Sequence, residues 1–366
     1  MGDRPEGVLP AQELRELAAR GAIAATPGVE PAQVQPASLD LRLGRRAWLV
    51  RASFLAGHGR RVEDRLAEFG MHEIDLGPGA VLETGCVYVV ELAERLALPV
   101  DVSAAANAKS STGRLDLFTR LIADHQPEFD RVAPGYEGPL YAEISPRTFS
   151  VLVRPGARLN QLRLRRGEAA IGDAELRALH ARERLVDTEA VIAGGLGFSV
   201  DLTPRGPSGI VGWRARRHAG LIDLDRVGHY DPEEFWAPVR PRGGGIILDP
   251  GAFYILVSRE AVSVPPDTAA EMVPYMAVVG EFRVHYAGFF DPGFGHGASG
   301  GTGSRGVLEV RCHEAPFALE HGQMVGRLVY ERMAARPDTL YGTGIGSHYQ
   351  GQALRLSKHF REPGDG

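Results

Sequence analysis

Between Pro10 and Ile23, Leu14, Leu17 and Ala18 recur at helical spacing, with Gly21 as a stop, and predict a short first helix. From Ser38 to Leu43 the period falls to two, Ser-Leu-Asp-Leu-Arg-Leu, the pattern of a strand with one buried face. Residues 44–70 are punctuated by Arg and Gly and predict loops with one short strand at Ala47–Val50. Val81–Leu92 is rich in strand formers and is broken at Gly85. Further short strands are predicted around 115–123, 139–144, 148–153 and Leu159–Leu164, with a loop over 124–138 and a turn at Pro155-Gly156. Short strands between turn signals predict an all-β fold of the barrel or sandwich kind.

The pattern then starts again. Asp173–Leu185 predicts a helix capped by Asp173, and its Leu176 and Leu179 fall 162 positions after Leu14 and Leu17. Phe198-Ser199-Val200-Asp201-Leu202 echoes Ala37-Ser38-Leu39-Asp40-Leu41. Farther on the offset settles at 166: Gly85, Tyr88, Glu94, Pro99 and Glu143 recur as Gly251, Tyr254, Glu260, Pro265 and Glu309. These matches predict two tandem copies, residues 1–168 and 169–338, each preceded by a short helix, and a tail from 339 to 366. Gly295–Gly306, rich in Gly and Ser, reads as a flexible insertion in the second copy.

Composition narrows the class. The 366 residues are 44% hydrophobic and 24% charged with a formal net charge of −5, a balance that carries no general signal for nucleic acid. No apolar run reaches membrane-spanning length, and the N-terminus lacks the apolar core of a signal peptide, so a cytoplasmic location is expected. The two cysteines, Cys86 and Cys312, fit a reducing compartment and read as buried thiols. Lys109 and Lys358 are the two lysines of a chain whose other basic residues are arginines.

Lys109 opens the stretch with the most chemistry, Lys-Ser-Ser-Thr-Gly-Arg to Arg114. Two cations, adjacent hydroxyls and a glycine that lets the backbone lie close to a ligand suit an anion. Ser-Ser-Thr-Gly is also ordinary loop composition, and Glu143 in Leu140-Tyr141-Ala142-Glu143-Ile144 could equally be an outward strand carboxylate.

Taken together, Lys109–Arg114, the turn Pro134-Gly135-Tyr136-Glu137-Gly138 and Glu143 resemble the dCTP deaminases of the trimeric dUTPase superfamily, in which the first stretch usually reads Arg-Ser-Ser-Leu-Ala-Arg. The resemblance implies two dUTPase-like barrel or jelly-roll domains and hydrolysis of dCTP to dUTP and ammonia, a step toward pyrimidine deoxynucleotides. It implies Glu143 as general base and acid, with Ser110 and Arg114 placing the attacking water and the carboxylate. Lys109, Ser111, Thr112 and Gly113 would hold the phosphates with Mg²⁺ carried by the triphosphate, and backbone groups of Tyr141 and Ala142 would read the cytosine edge. Family tails fold over the nucleotide with a Tyr, a Lys and a Gln at spacings that Tyr341, His348 and Gln352 reproduce, His standing for Lys. The family assembles as trimers with sites between subunits, so a homo-oligomer, a homotrimer first, is expected.

Removal of the cytosine amine needs water attack at C4 and proton delivery to N3 and the leaving amine, work that one carboxylate can do. Zinc deaminases use His-x-Glu and Pro-Cys-x-x-Cys; this sequence has no Cys-x-x-Cys, and no zinc is expected. The family's Asp before the Pro-Gly turn is Ala133 here, with Asp130 three residues earlier after an apparent insertion at 124–132; Asp124 and His125 are weaker candidates for base contact. The second copy has Tyr-Met-Ala-Val-Val-Gly at Tyr275–Gly280, without hydroxyls or cations, but keeps Asp291-Pro292-Gly293-Phe294 and Glu309, and a mainly structural role is expected for it. A diphosphatase or bifunctional enzyme making dUMP and a non-catalytic nucleotide-binding regulator remain the alternatives.

Overall fold

The computed structural model describes residues 4–204, 207–274, 282–284, 288–342 and 354–362. The chain divides into two units. The first comprises Met1–Ala169, Gly220–His229 and Met333–Asp338, and the second Ala170–Ala219, Tyr230–Arg332 and Thr339–Gly366. Both are built mainly of antiparallel strands. Among the described residues no helix is long and apolar enough to cross a membrane.

In the first unit one sheet runs Gly70–Asp75, Leu43–Val50, Val87–Ala97, Glu137–Pro146, Leu117–Ala123. A second sheet places Asn160–Arg166 between Leu39–Leu41 and Val102–Ala108, with Arg131–Val132 beyond. The second unit repeats both orders. Trp236–Val239, Gly212–Ala215, Phe253–Val262, Ser304–Cys312 and Phe282–Val284 form one sheet, and Leu196–Ser199, Met324–Arg332, Thr268–Pro274 and Phe289–Phe290 the other. The offset of 166 holds in atomic detail. The Tyr88 hydroxyl accepts from the Glu83 N–H (3.1 Å), and the Tyr254 hydroxyl from the Asp249 N–H (2.9 Å). Gly85 and Gly251 both take left-handed φ, +84° and +67°, which turns the chain into the strands that follow. Tyr254→Phe removes the acceptor of the Asp249 N–H, and a loss of about 1 kcal/mol is expected in urea unfolding.

Alternation sets the burial in these strands. Along Val87–Ala97, Tyr88, Val90, Leu92, Glu94 and Leu96 are buried. Glu94 is a charge in this core, 0% exposed. It accepts from Arg42 Nε (2.9 Å), the Arg42 N–H (2.8 Å) and Gln33 Nε2 (2.8 Å). A buried carboxylate is tolerated there because each oxygen has donors.

Five expectations are corrected. Residues 44–70 are not mainly loop: they hold the strand Leu43–Val50, a helix Val62–Phe69 and the start of Gly70–Asp75. Val62 and Leu66, four residues apart, bury one side of that helix, and its many charges on the other side masked the periodicity. The helix predicted over Asp173–Leu185 spans Asp173–Arg182 with Gly172 at the cap position. Asp173 instead accepts from the N–H groups of Gly194 and Gly195. Gly295–Gly306 is a bonded turn: the Gly301 N–H donates to His296 O, the Gly303 N–H to Gly295 O, and Ser304 begins a strand. Cys312 is buried, but Cys86 is only half-buried. The loop expected at 124–138 contains the two-residue strand Arg131–Val132 and yields to a strand at Glu137.

Candidate active site

Glu143 lies in the strand Glu137–Pro146, which pairs with Val87–Ala97 on one side and Leu117–Ala123 on the other. Alternation puts Glu143 on the same face as Tyr141, and the register sets it opposite Arg120. The residue is 2% exposed. Arg120 donates to its Oε1 from Nη2 (2.5 Å) and Nε (3.1 Å). The Ser53 hydroxyl donates to Oε2 (2.6 Å) and accepts from Arg120 Nη2 (2.9 Å), which closes a ring of three side chains. The Arg120 guanidinium carbon sits 3.5 Å from the ring centre of Phe129 and 4.8 Å from that of Phe118.

The segment after Val50 roofs this face. Phe54, Val62 and Leu66 pack with Ile122 and Tyr141, and Phe54 stacks on Phe69 at 5.6 Å. Asp124 holds the start of the helix by accepting from the Val62 N–H (2.7 Å), where an acid favours a helix N-terminus. Burial, with smaller contributions from nearby acids, pushes the Tyr141 hydroxyl well above its ordinary range. Tyr141 and Ala142 stand in ladders on both sides, and the register shifts between Pro139 and Tyr141.

The stretch Lys109–Arg114 forms a single helical turn, Ser110–Gly113, closed by bonds from the Thr112 and Gly113 N–H groups to Lys109 O and from the Arg114 N–H to Ser110 O. Ser110 is exposed, whereas Ser111, Thr112, Gly113 and Arg114 are buried. The Lys109 ammonium pairs with the Asp40 carboxylate, itself 2% exposed. Within one chain, then, Lys109 already has an anionic partner, and Ser110 presents the open side of the turn. Glu143 is opposite Arg120, three positions along the strand from Leu117, or roughly 10 Å at strand rise. Its recorded hydrogen bonds come from Arg120 and Ser53.

Asp130 closes the inserted segment. Its Oδ1 accepts from the Leu121 N–H (2.7 Å), its own N–H donates to Leu121 O (3.0 Å), and its φ of +59° is one that Asp tolerates. The residue keeps some surface, but its carboxyl is enclosed. Burial pushes it up to about 7; the Leu121 N–H and Arg120 oppose the shift, and Glu143 adds to it. A raised folded-state value means that the native chain holds the proton more tightly. The resulting stability is full below the ordinary carboxylate range and is lost as pH rises through about 7. Relative to Asp130→Asn, the wild type is therefore expected to lose roughly 1–3 kcal/mol between pH 4 and pH 8 in denaturant unfolding.

In the second unit Glu309 and Asp291 are 5% and 8% exposed. Tyr341 belongs to this unit: its N–H donates to Pro292 O (2.9 Å) and its ring lies 5.5 Å from that of Phe294. His348, Gln352 and Tyr275–Gly280 lie outside the described residues. An open cleft of ≈ 350 Å³ in this unit is lined by Glu183, Asp187, His296 and Thr302 among others, and none of the predicted catalytic or binding residues lines it. Sequence reasoning missed Arg120, Ser53 and Phe129. Arg120 offered one signal, a cation in an otherwise apolar strand.

A family model described as 2'-deoxycytidine 5'-triphosphate deaminase, N-terminal domain, matches residues 5–168, and one described as its C-terminal domain matches residues 172–360. A curated "dCTP deaminase" of Natronomonas pharaonis is 33% identical over 161 residues, covering 42% of this chain and 78% of the relative. A "dCTP deaminase, dUMP-forming" of Corynebacterium kroppenstedtii is 31% identical over 175 residues, 44% of this chain and 88% of the relative. The crystal structure of 2'-deoxycytidine 5'-triphosphate deaminase from Agrobacterium tumefaciens is 55% identical, with a TM-score of 0.87 over 92% of this chain and 100% of that one. Through both of its halves, the chain belongs to the dCTP deaminase family of enzymes.

Proposed function

We propose that this enzyme hydrolyses dCTP to dUTP and ammonia with Glu143 as general base and acid. The observation that carries the reading is a nearly fully buried carboxylate, bonded at both oxygens by Arg120 and Ser53, in a chain of this family. Each carboxylate oxygen offers two lone-pair directions, so Oε2, with one recorded donor, keeps one for a water. Glu143 takes a proton from that water as its oxygen bonds to C4. The proton passes to N3, a second proton transfer loads the amine, and the C4–N bond breaks with ammonia as the leaving group. One water is consumed and one ammonia released, with no change of oxidation state.

The rest of the site is proposed on the family resemblance. Ser110 and Arg114 place the water and the carboxylate. Lys109, Ser111, Thr112 and Gly113 receive the phosphates of Mg–dCTP, Lys109 exchanging Asp40 for phosphate, and backbone groups of Tyr141 and Ala142 read the base. Tyr341, His348 and Gln352 come from the tail. On the same resemblance the site is completed between copies in a homotrimer of two-barrel chains, each barrel dUTPase-like. The cytoplasm is the proposed location.

The dUMP-forming dCTP deaminase of Corynebacterium kroppenstedtii, to which this chain is similar, favours a second reading, in which dCTP is carried through to dUMP and pyrophosphate. Ammonia release from Mg–dCTP, with chromatography of the nucleotides, separates the two. Ammonia with dUTP supports the first reading and ammonia with dUMP the second. Tight nucleotide binding without ammonia would sink both and leave a non-catalytic regulator.

A further inference from the structure

We propose that Arg120 is a positioning residue for Glu143 and that Phe129, from the inserted segment 124–132, holds Arg120 in place. The inference rests on the reading of Glu143 as general base and acid. A glutamate on a strand can turn about its last torsion, which is broad and roughly two-fold. Here that torsion is fixed from both ends. Both Arg120 bonds reach Oε1, and the Ser53 bond reaches Oε2. Ser53 cannot swing away freely, because the hydroxyl that donates to Glu143 also accepts from Arg120. The carboxylate plane, and with it the open lone pair on Oε2, is set by this ring.

Arg120 is a long side chain, and something must keep it in one rotamer. Phe118, two positions earlier on the same strand, lies 4.8 Å from its guanidinium carbon, and Phe129 lies 3.5 Å from it. A planar guanidinium stacks on an aromatic face while its edge donates hydrogen bonds; an ammonium does neither in the same geometry. The inserted segment is anchored beside it, because Asp130 bonds both backbone groups of Leu121, the neighbour of Arg120. The insertion thus delivers an aromatic plate to the residue that aims the carboxylate.

The test is steady-state ammonia release from Mg–dCTP by the full chain, with thermal unfolding of each variant. Arg120→Met is expected to lower kcat about 100-fold with KM within about threefold, the cost of a displaced catalytic group. Arg120→Lys is expected to recover part of that loss, and Phe129→Leu, which keeps both Arg120 and Glu143 but removes the ring under the guanidinium, to lower kcat about 5- to 10-fold. Unchanged kcat in Arg120→Met and Phe129→Leu, with Glu143→Gln inactive, overturns the positioning role and leaves the reading of Glu143 standing. A rise in KM at constant kcat overturns it too, since Arg120 would then contact substrate. Activity in Glu143→Gln removes the reading itself. If Arg120→Met does not fold, the kcat of Phe129→Leu decides.

Discussion

Glu143→Gln is expected to reduce kcat for ammonia release from Mg–dCTP by about 10²–10⁴-fold, with nucleotide binding kept within a few-fold. Gln is nearly isosteric and keeps one acceptor oxygen, which can still take the Arg120 bonds. It has no carboxylate to accept a proton from water, and its amide cannot return one to the leaving amine. In that arrangement the amide donor faces the Ser53 hydroxyl, which turns its own proton away and offers a lone pair with which to accept. The fold is therefore expected to survive. Dissociation constants measured alongside kcat check this: a loss confined to kcat marks a group acting in the transition state, whereas equal losses in binding would make Glu143 a ligand contact.

Glu94→Ala is expected to cost about 3–5 kcal/mol of stability, because it strands a buried cation. Arg42 is 3% exposed and loses the partner of its Nε. Its remaining recorded partners are Glu30, at 2.9 Å, and the carbonyls of Pro27 and Gly28. The backbone N–H of Arg42 and the amide of Gln33 lose acceptors at the same time. A fall in midpoint of roughly 10 °C is expected in calorimetry. A double variant, Glu94→Leu with Arg42→Met, is expected to recover much of the loss, since an apolar pair leaves no charge in the core. If the single variant melted within 2 °C of wild type, the pair would not be the organising contact that its burial suggests.

How much of this was legible in the sequence differs from residue to residue. The offset between Tyr88 and Tyr254 could be read directly, and in each unit the tyrosine hydroxyl accepts the backbone N–H five residues earlier. A local bond of this kind travels with its sequence. Glu143 could be singled out, because an acid in an apolar strand is conspicuous. The helix Val62–Phe69 could not, since its two fully buried positions are outnumbered by charges that report only on its exposed side. Nor could the pairing of Lys109 with Asp40, which are 69 residues apart and meet only once their strands are aligned.

By itself the sequence determined what depends on composition, periodicity and short spacing: a β-rich chain, a pattern that recurs at a nearly constant offset, and the side chains able to carry anion binding and proton transfer. The tertiary structure decided which of those side chains face one another. A strand pattern says which face a residue occupies but not which residue lies opposite, because register is a property of two strands at once. Arg120 became the partner of Glu143 through the pairing of Leu117–Ala123 with Glu137–Pro146, and Ser53 joined them through the roof that follows Val50.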